Sequence, residues 1–286
     1  MMPRARSSGT PFSQDFLHRV AETRGTLSTN DARVADHLRD HMGELPFHTA
    51  ASLAERVSVS RAAVIRLTQR LGYSGFVDVR NRSREELRAA GSPLQRFGPQ
   101  HDTSPFSRMV ARDIANLELT LKLVEKLVPR ATTLLSEANN LYVIGNNKSY
   151  GAAIYLYHLL QGVRPRVHMI HPWNRRTATE MDDGDVLIAC IFLRYSRETV
   201  RIMKYASRRH VPVIAITDGG GHPLLRSVAV SLVAQTDSST LYPSLVAPLA
   251  LIQLLAAEVA AANPDVARTA LSAAESFFDG REFLSR

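Results

Sequence analysis

The chain has 286 residues, 45% of them apolar, which is enough for two compact domains and argues against a disordered or coiled-coil protein. Its 35 Lys and Arg against 27 Asp and Glu give a net charge of +8, which favours a polyanionic partner such as nucleic acid or an anionic lipid surface. No apolar run approaches the roughly 18 residues of a membrane span and no secretory signal pattern is present, so we expect a cytoplasmic protein with no membrane partner. The single cysteine, Cys190, lies in an apolar run and is predicted to be a buried side chain, not a catalytic thiol.

Composition divides the chain into two domains. Gly and Pro recur without apolar periodicity over residues 91–105, which predicts a linker. Residues 1–10 offer little to bury and are predicted to be disordered. Residues 11–90 are arginine-rich, contain no lysine and show helical periodicity, whereas residues 106–286 alternate strand-like and helix-like segments. We therefore predict an N-terminal all-α domain followed by an α/β domain.

Three helices are predicted in the N-terminal domain. Thr29 or Asn30 can cap the first, which carries an apolar stripe and ends before Pro46. Thr49 can open a short second helix and Ser60 a third of about three turns. A short helix, a tight turn and a longer helix, packed on a preceding helix, form the helix-turn-helix arrangement, which places its last helix in the major groove of DNA.

Positive charge is concentrated on the third helix and after it. Between residues 56 and 84 there are seven arginines and one acid, a net charge of +6. The N-terminal end of a recognition helix enters the groove first, so contacts with base edges and phosphates are expected at that end. Arginines further along the helix are expected to contact phosphates or to pack their stems on the core. The predicted DNA-binding residues are Ser60, Arg61, Ala62, Arg66 and Arg70. The alternative is an exposed helix that arginine merely keeps soluble.

The same segment resembles a known family. Residues 51–67, ASLAERVSVSRAAVIRL, and residues 70–76, RLGYSGF, are similar to the N-terminal domain of the RpiR-type bacterial transcriptional regulators, and LGYSGF is the most specific part. Ala63 stands where the family usually has Thr, so no DNA contact is assigned to it. The resemblance implies a bacterial, nucleoid-associated protein that binds double-stranded DNA as a homo-oligomer, either a dimer or a tetramer.

About five apolar segments, separated by helix-like ones, predict a parallel α/β sheet in the C-terminal domain. Two of these segments lead into polar turns, at residues 145–149 and 194–199, and each turn is followed by a helix. A strand that leads through a short turn into a helix presents backbone N–H groups and a positive dipole end at the carboxyl edge of the sheet. The sequence therefore predicts an anion site at this edge.

These turns resemble those of the sugar isomerase (SIS) domain, an α/β module that binds phosphorylated sugars and usually dimerises. The family patterns G-x-G-x-S and S-x-S-G-x-T are each matched in part. Arg194 and Arg197 stand where the second pattern has a serine and a glycine, so these side chains either add charge to the anion site or close it. The resemblance also places Ser244, near the start of a later helix, beside the pocket. The ligand-binding residues it implies are Asn147, Ser149, Arg194, Ser196, Arg197, Thr199 and Ser244.

No catalytic residue, cofactor or metal site is predicted. His37 and His41, four residues apart in the first helix, are expected to lie on a solvated face, because a zinc site needs further ligands. An isomerase would need an acid or histidine placed for proton abstraction, and no spacing singles one out. The side chains considered are Glu180, Asp182, Asp183, Glu198 and His171.

Together these features predict a transcriptional regulator, not an enzyme, whose affinity for its operator is modulated by a small anionic metabolite, a phosphosugar or a related compound. One alternative is a sugar-phosphate aldose-ketose isomerase with an accessory helical domain. Another is a nucleoid-type DNA-binding protein whose sensor domain has lost its ligand.

Overall fold

The computed structural model describes residues 11–90, 105–219 and 222–279, which form two compact units. The predicted disordered start, residues 1–10, and all but the last residue of the predicted linker, 91–105, lie outside the described residues. The fold class expected from the sequence is confirmed: the first unit is all-α and the second is a parallel α/β sheet.

The N-terminal unit consists of helices packed around one apolar core. Phe16, Leu38, Leu53 and Leu67 are among the fully buried residues of this core. A 3-10 helix, Met42–Phe47, connects the second helix to the third. The helices are α1 (Phe12–Thr23), α2 (Thr29–Asp40), α3 (Ala50–Arg56), α4 (Arg61–Arg70) and α5 (Phe76–Ala90). Three of them match the predicted set, α2 to α4, and the sequence reasoning did not identify α1 or α5.

The start of α2 differs from the prediction. Its cap is Ser28, whose side-chain oxygen accepts a hydrogen bond from the backbone N–H of Asp31 at 3.3 Å. Thr29 and Asn30 are already helical, so the predicted cap was one or two residues late. All of these polar residues favour helix caps, and the sequence alone does not show which one has extended backbone angles.

The caps of the next two helices are confirmed. Thr49 accepts a hydrogen bond from the backbone N–H of Ser52 at 3.0 Å, and Ser60 accepts one from that of Ala63 at 3.2 Å. Ser58, in the tight turn between α3 and α4, has a φ of 53°, a left-handed conformation that reverses the chain within a few residues. The helix-turn-helix geometry is therefore built from local sequence signals.

The prediction for the two histidines of the first helix is wrong. The rings of His37 and His41 stack with their centroids 4.4 Å apart, and both residues are half-buried, not solvated. The Nε2 atom of His37 is fully buried. The 3-10 helix after α2 folds back over this end of the helix, a contact that helical periodicity does not reveal.

The C-terminal unit contains a five-stranded parallel sheet in the order β2-β1-β3-β4-β5. The strands are β1 (Leu141–Ile144), β2 (Val167–Ile170), β3 (Val186–Ile191), β4 (Val213–Thr217) and β5 (Val230–Val233). The chain runs outward from β1 to β2, then returns and continues from β3 in the other direction. Neighbouring β1 and β3 therefore flank a topological switch point, where open α/β sheets form their ligand crevices.

Helices cover both faces of this sheet. They are α6 (Pro105–Val124), α7 (Val128–Glu137), α8 (Tyr150–Val163), α9 (Arg197–Arg208), α10 (Val246–Ala262) and α11 (Pro264–Asp279). Helices α7, α8 and α10 pack on one face and α9 on the other. Cys190 is fully buried in β3, as predicted. In the described part of the chain no single helix is long and apolar enough to span a membrane, although α10 and α11 pass that test as a pair bent by 111°.

Candidate DNA-binding and ligand-binding sites

Helix α4 presents an apolar face to the core and a polar face to solvent. The buried residues are Ala63, Val64, Leu67 and Thr68, and the predicted DNA-binding residues, all exposed, are Ser60, Arg61, Ala62, Arg66 and Arg70. Full burial of Ala63 agrees with its exclusion as a DNA contact. The five predicted side chains thus share the solvent side of one helix, with Ser60 capping its N-terminal end.

Arg70 has a structural partner. Its guanidinium donates to the carboxylate of Asp31 at 2.9 Å and to the backbone carbonyl of Thr26 at 2.8 Å. Asp31 is only 2% exposed, so this ion pair neutralises a carboxylate that is almost completely buried. Arg70 therefore ties the end of α4 to the start of α2, and its guanidinium is already engaged within the unit.

Several other arginines of the basic segment are also engaged. Arg82 pairs with Asp78 at 2.8 Å, Arg84 donates to a backbone carbonyl, and Arg56 lies 3.9 Å from a carboxylate oxygen of Glu44. Arg61 and Arg66, by contrast, have no ion pair or hydrogen bond within the described ranges 11–90, 105–219 and 222–279, and both are exposed. These two guanidinium groups are the cations of α4 that remain available to a partner.

In the C-terminal unit, the turns after β1 and β3 meet at the switch point. The backbone N–H of Phe192 donates to the hydroxyl of Ser149 at 3.3 Å. The amide of Asn146 donates to the hydroxyl of Thr199 at 2.9 Å, and both residues are buried. Ser149 and Thr199, which the sequence assigned to different turns, are thereby brought to one place.

The first turn requires two unusual backbone positions. A Cβ atom at Gly145 would lie 2.6 Å from the carbonyl oxygen of Ser149 and 2.7 Å from the Cβ of Ala153, so only glycine fits. Asn147 has a φ of 54° and is exposed. Asn tolerates this left-handed conformation well, which explains how it replaces the second glycine of the family pattern.

The second turn places two arginines at the surface of the same edge. Arg194 has a φ of 73° and is exposed, and Arg197 is the exposed first residue of α9. Ser196 caps α9 by accepting a hydrogen bond from the backbone N–H of Thr199 at 3.4 Å. The edge therefore combines a helix N-terminus with cationic side chains, a combination that suits an anion.

Two further residues of this edge were missed by the sequence reasoning. Asp218, directly after β4, accepts hydrogen bonds from the backbone N–H of Leu193 at 2.6 Å and the hydroxyl of Tyr195 at 3.3 Å, which fixes the second turn. Lys148 is exposed in the first turn, with its ammonium 4.5 Å from the ring centroid of Tyr242. The sequence did contain a signal for Asp218: it is a polar residue just after a predicted strand, and such residues lie at the same edge of a parallel sheet as the two turns.

Ser244 lies just ahead of α10. Its hydroxyl accepts a hydrogen bond from the backbone N–H of Val246 at 3.2 Å, and its own N–H donates to the carbonyl of Thr236. These contacts serve the start of the helix. Over residues 105–219 and 222–279 no hydrogen bond joins Ser244 to either of the two turns.

Several acid and histidine candidates for isomerase chemistry have partners in the structure. The Oε1 atom of Glu198 lies 3.3 Å from Nε of Arg175, and the Oδ1 atom of Asp182 lies 3.1 Å from Nη2 of Arg209. The Nδ1 atom of His171 lies 3.2 Å from the hydroxyl of Tyr150. These contacts give no preference to any one of them as a general base.

Comparison with known proteins identifies both units. A model of the helix-turn-helix domain of the rpiR family matches residues 14–90, and a model of the SIS domain matches residues 134–258. The chain belongs to the RpiR family. The resemblance that the sequence motifs suggested is thus confirmed for both domains.

Relatives of known name or structure agree with this assignment. The HTH-type transcriptional regulator HexR of Pseudomonas aeruginosa is 22% identical over 229 residues, which cover 77% of this chain and 78% of that protein. The structure of Vibrio vulnificus NanR complexed with ManNAc-6P covers 92% of this chain and 97% of its own, with a TM-score of 0.61 and 21% identity. The sugar isomerase domain of an RpiR transcription factor from Sphaerobacter thermophilus covers 59% of this chain and 97% of its own, with a TM-score of 0.56 and 28% identity. This RpiR-family chain therefore shares its fold with NanR over most of its length and with the Sphaerobacter thermophilus domain over its C-terminal unit.

Proposed function

We propose that this RpiR-family protein is a transcriptional regulator that binds operator DNA through α4 and a small phosphosugar-like anion through the switch-point edge of its sheet. The observation that carries the proposal is the exposure of Arg61 and Arg66, without partners in the described residues, on a helix whose opposite face is fully buried. HexR, which matches over most of the chain, is itself a transcriptional regulator by name.

For DNA binding, the proposed contacts change along α4, from base edges at its N-terminal end to phosphates further on. Ser60, Arg61 and Ala62 occupy its first turn, where a recognition helix approaches base edges. Arg66 lies more than one turn further on and is assigned to a phosphate. Arg70 is proposed to act through Asp31, by holding α4 in place, and not through a direct phosphate contact.

For effector binding, the proposed site comprises the hydroxyls of Ser149 and Ser196, the first backbone N–H groups of α9, and the cations Lys148 and Arg197. A phosphate fits this set because helix N-termini and guanidinium groups both favour bound anions. NanR, which shares the fold, is complexed with ManNAc-6P, and we extend that ligand class, a sugar phosphate, to this chain. The remaining predicted residues, Asn147, Arg194, Thr199 and Ser244, are proposed to shape or border the site.

We also propose that the protein acts as a homo-oligomer in the bacterial cytoplasm. Helix α6 presents an exposed apolar stripe at spacings of three and four residues, and its members are between 36% and 69% exposed. The stripe consists of Phe106, Val110, Ile114, Leu117 and Leu121. We propose that a second copy of the chain packs on this stripe, because two DNA-binding domains match the two half-sites of a symmetric operator.

A regulator is preferred to a sugar-phosphate isomerase because HexR, which matches over most of the chain, is a transcriptional regulator by name, and because no contact singles out one of the acid and histidine candidates as a general base. The two proposals differ in a direct assay. Turnover of an aldose phosphate to its ketose, abolished by His171→Ala, would favour the enzyme.

The proposed function is tested by selecting bound duplexes from a random DNA library with the purified full chain. We expect a two-fold symmetric consensus, with Arg61→Ala losing base preference at one position of each half-site and about 1–3 kcal/mol of affinity. Arg66→Ala should weaken all duplexes alike. Failure of the wild-type chain to enrich any sequence would contradict the proposal.

A further inference from the structure

Three potential metal ligands converge inside the N-terminal unit, and none of them is a proposed DNA contact. His37 lies in the last turn of α2, Glu44 in the 3-10 helix, and His48 directly before the cap of α3. One potential ligand atom from each residue lies within 4.8 Å of those of the other two. Glu44 and His48 are only 5% and 6% exposed, so these polar groups sit within the fold and not on its surface.

The two histidines each carry a ring nitrogen without a hydrogen-bond partner. The Nε2 atoms of His37 and His48 are both fully buried, and neither meets hydrogen-bond geometry with another group in the part of the chain that the structure describes. The nearest charged atom to Nε2 of His48 in an ion-pair contact is a carboxylate oxygen of Glu44. Buried polar atoms in folded proteins are normally hydrogen-bonded, because losing water without compensation costs free energy. Two such nitrogens beside one carboxylate indicate a site that a cation completes.

The orientation of His48 supports this interpretation. Its Nδ1 atom lies 3.1 Å from the hydroxyl oxygen of Ser52, and that hydroxyl donates to the carbonyl of Thr49 at 3.2 Å. In the tautomer in which Nδ1 donates to this hydroxyl, Nε2 of the neutral ring carries the lone pair. A histidine that donates one ring N–H to a neighbouring group and directs the other nitrogen inward is the arrangement found in metal ligands.

The distance between His48 and Glu44 fits coordination. The Nε2 atom of His48 lies 3.5 Å from a carboxylate oxygen of Glu44. Two ligand atoms bound to one tetrahedral zinc ion at its usual bond lengths are separated by about 3.4 Å. In the tautomer with the lone pair on Nε2, that lone pair faces the carboxylate oxygen, and a cation between the two atoms would stabilise them.

The electrostatic surroundings favour neutral imidazoles. Burial lowers the pKa of both His37 and His48, and the charge of Arg56 lowers it further. Arg56 also lies 3.9 Å from the same carboxylate oxygen of Glu44, so a metal ion would compete with this guanidinium.

We propose that His37, Glu44 and His48 bind one divalent transition-metal ion, with Zn²⁺ as the ion that best matches two imidazole nitrogens and one carboxylate oxygen. A fourth position would be open to water. The ion would join the end of α2 to the start of α3, and so stabilise the helix pair that supports α4. This site is independent of the proposed effector site in the other unit.

The first test uses the full chain, stripped of metal with a chelator and titrated with Zn²⁺ and with Co²⁺. Tetrahedral Co²⁺ gives visible absorption bands that report its ligands directly. We expect one ion per chain, a higher melting temperature with Zn²⁺, and loss of both effects in His37→Ala and His48→Ala. The matched control is His18→Ala, because His18 and Glu22 form an exposed pair with the same 3.5 Å separation but without a third potential ligand among the described residues, and this variant should bind as the wild type does.

A second measurement does not depend on how the variants fold. X-ray absorption at the zinc edge of the wild-type protein should show two imidazole ligands together with oxygen ligands. Glu44→Gln, which preserves the shape of the side chain, should weaken Zn²⁺ at least tenfold. The proposal is overturned if the wild type binds no stoichiometric ion, if binding persists in both histidine variants, or if the absorption spectrum shows a number of imidazoles other than two.

Discussion

Arg66 and Arg70 lie four residues apart on α4, and their surroundings differ. Arg70→Ala would remove a guanidinium that donates to Asp31 at 2.9 Å and to the carbonyl of Thr26 at 2.8 Å, leaving a buried carboxylate unpaired. Hydrogen bonds to charged groups contribute about 1.5–3 kcal/mol each. Because the Arg70 side chain is 44% exposed, solvent screens part of this interaction, and we expect the free energy of unfolding of the N-terminal unit to fall by about 2 kcal/mol in total.

Arg66→Ala should behave in the opposite way. No side chain in the described part of the chain depends on Arg66, so its removal should change the free energy of unfolding by about 0.5 kcal/mol or less. If its guanidinium binds a phosphate, affinity for every duplex should fall, and the slope of log affinity against log salt should decrease by about one.

Hydrogen exchange followed by mass spectrometry separates the two effects, because it reports α2 and α4 independently of the C-terminal unit. A loss of 2 kcal/mol corresponds to about 30-fold faster exchange of the protected amides in Arg70→Ala. Adding Asp31→Asn to Arg70→Ala should recover part of the loss, since a neutral amide is less costly to bury than an unpaired carboxylate. Wild-type exchange in Arg70→Ala, or equal destabilisation by Arg66→Ala, would refute the assignment.

Three further predictions concern the C-terminal unit. Gly145→Ala should destabilise this unit by about 1–3 kcal/mol in urea unfolding, because the added Cβ would meet the backbone of Ser149, and unchanged stability would contradict the close packing of that turn. Burial raises the pKa of Cys190 to about 12, so at pH 8 the thiol of the folded protein should stay protonated. It should react with a thiol reagent only after unfolding. Rapid labelling of the native chain would argue against its burial. Ser149→Ala and Ser196→Ala should each lower the response to a sugar phosphate, measured as a shift in melting temperature. Their affinity for operator DNA without the sugar phosphate should stay unchanged. A full response in both variants would place the effector elsewhere.

Much of the architecture follows from local sequence signals. The caps at Thr49 and Ser60 and the apolar stripe of α4 specify the helix-turn-helix, because each involves residues within one or two turns of each other. The two strand-turn-helix segments identify the edge of the sheet in the same way, since parallel strands align their carboxyl ends. The position of β1 beside β3 depends on the whole chain, and only the structure establishes it.

The specific partners of polar side chains were not predictable. Arg70 and Asp31 are 39 residues apart, and Asn146 and Thr199 are 53 apart. Charge and periodicity indicate that a side chain is polar and on which face of a helix it lies. They do not indicate which distant residue neutralises it. Composition therefore overstated the charge available to DNA, because Arg70 is committed to the fold.

The same limit applies to the histidines. His37 and His41 share a helical spacing, whereas the residues that lie together with buried ligand atoms are His37, Glu44 and His48. The spacings of seven and four residues between them are helical, but α2 ends at Asp40 and a 3-10 helix that contains Pro46 follows, so helical periodicity does not predict that the three side chains meet. The spatial cluster could only be found once the fold was known.

The central claim is that one chain couples operator DNA to a small anion, and fluorescence anisotropy of a labelled operator tests it most directly. The full chain should bind the selected operator more tightly than a scrambled duplex of equal length. A sugar phosphate should change that affinity by about 5- to 150-fold, the range expected for a coupling free energy of about 1–3 kcal/mol, and Ser149→Ala should abolish the change. Equal affinity for both duplexes, or an operator affinity that no sugar phosphate alters, would contradict the account.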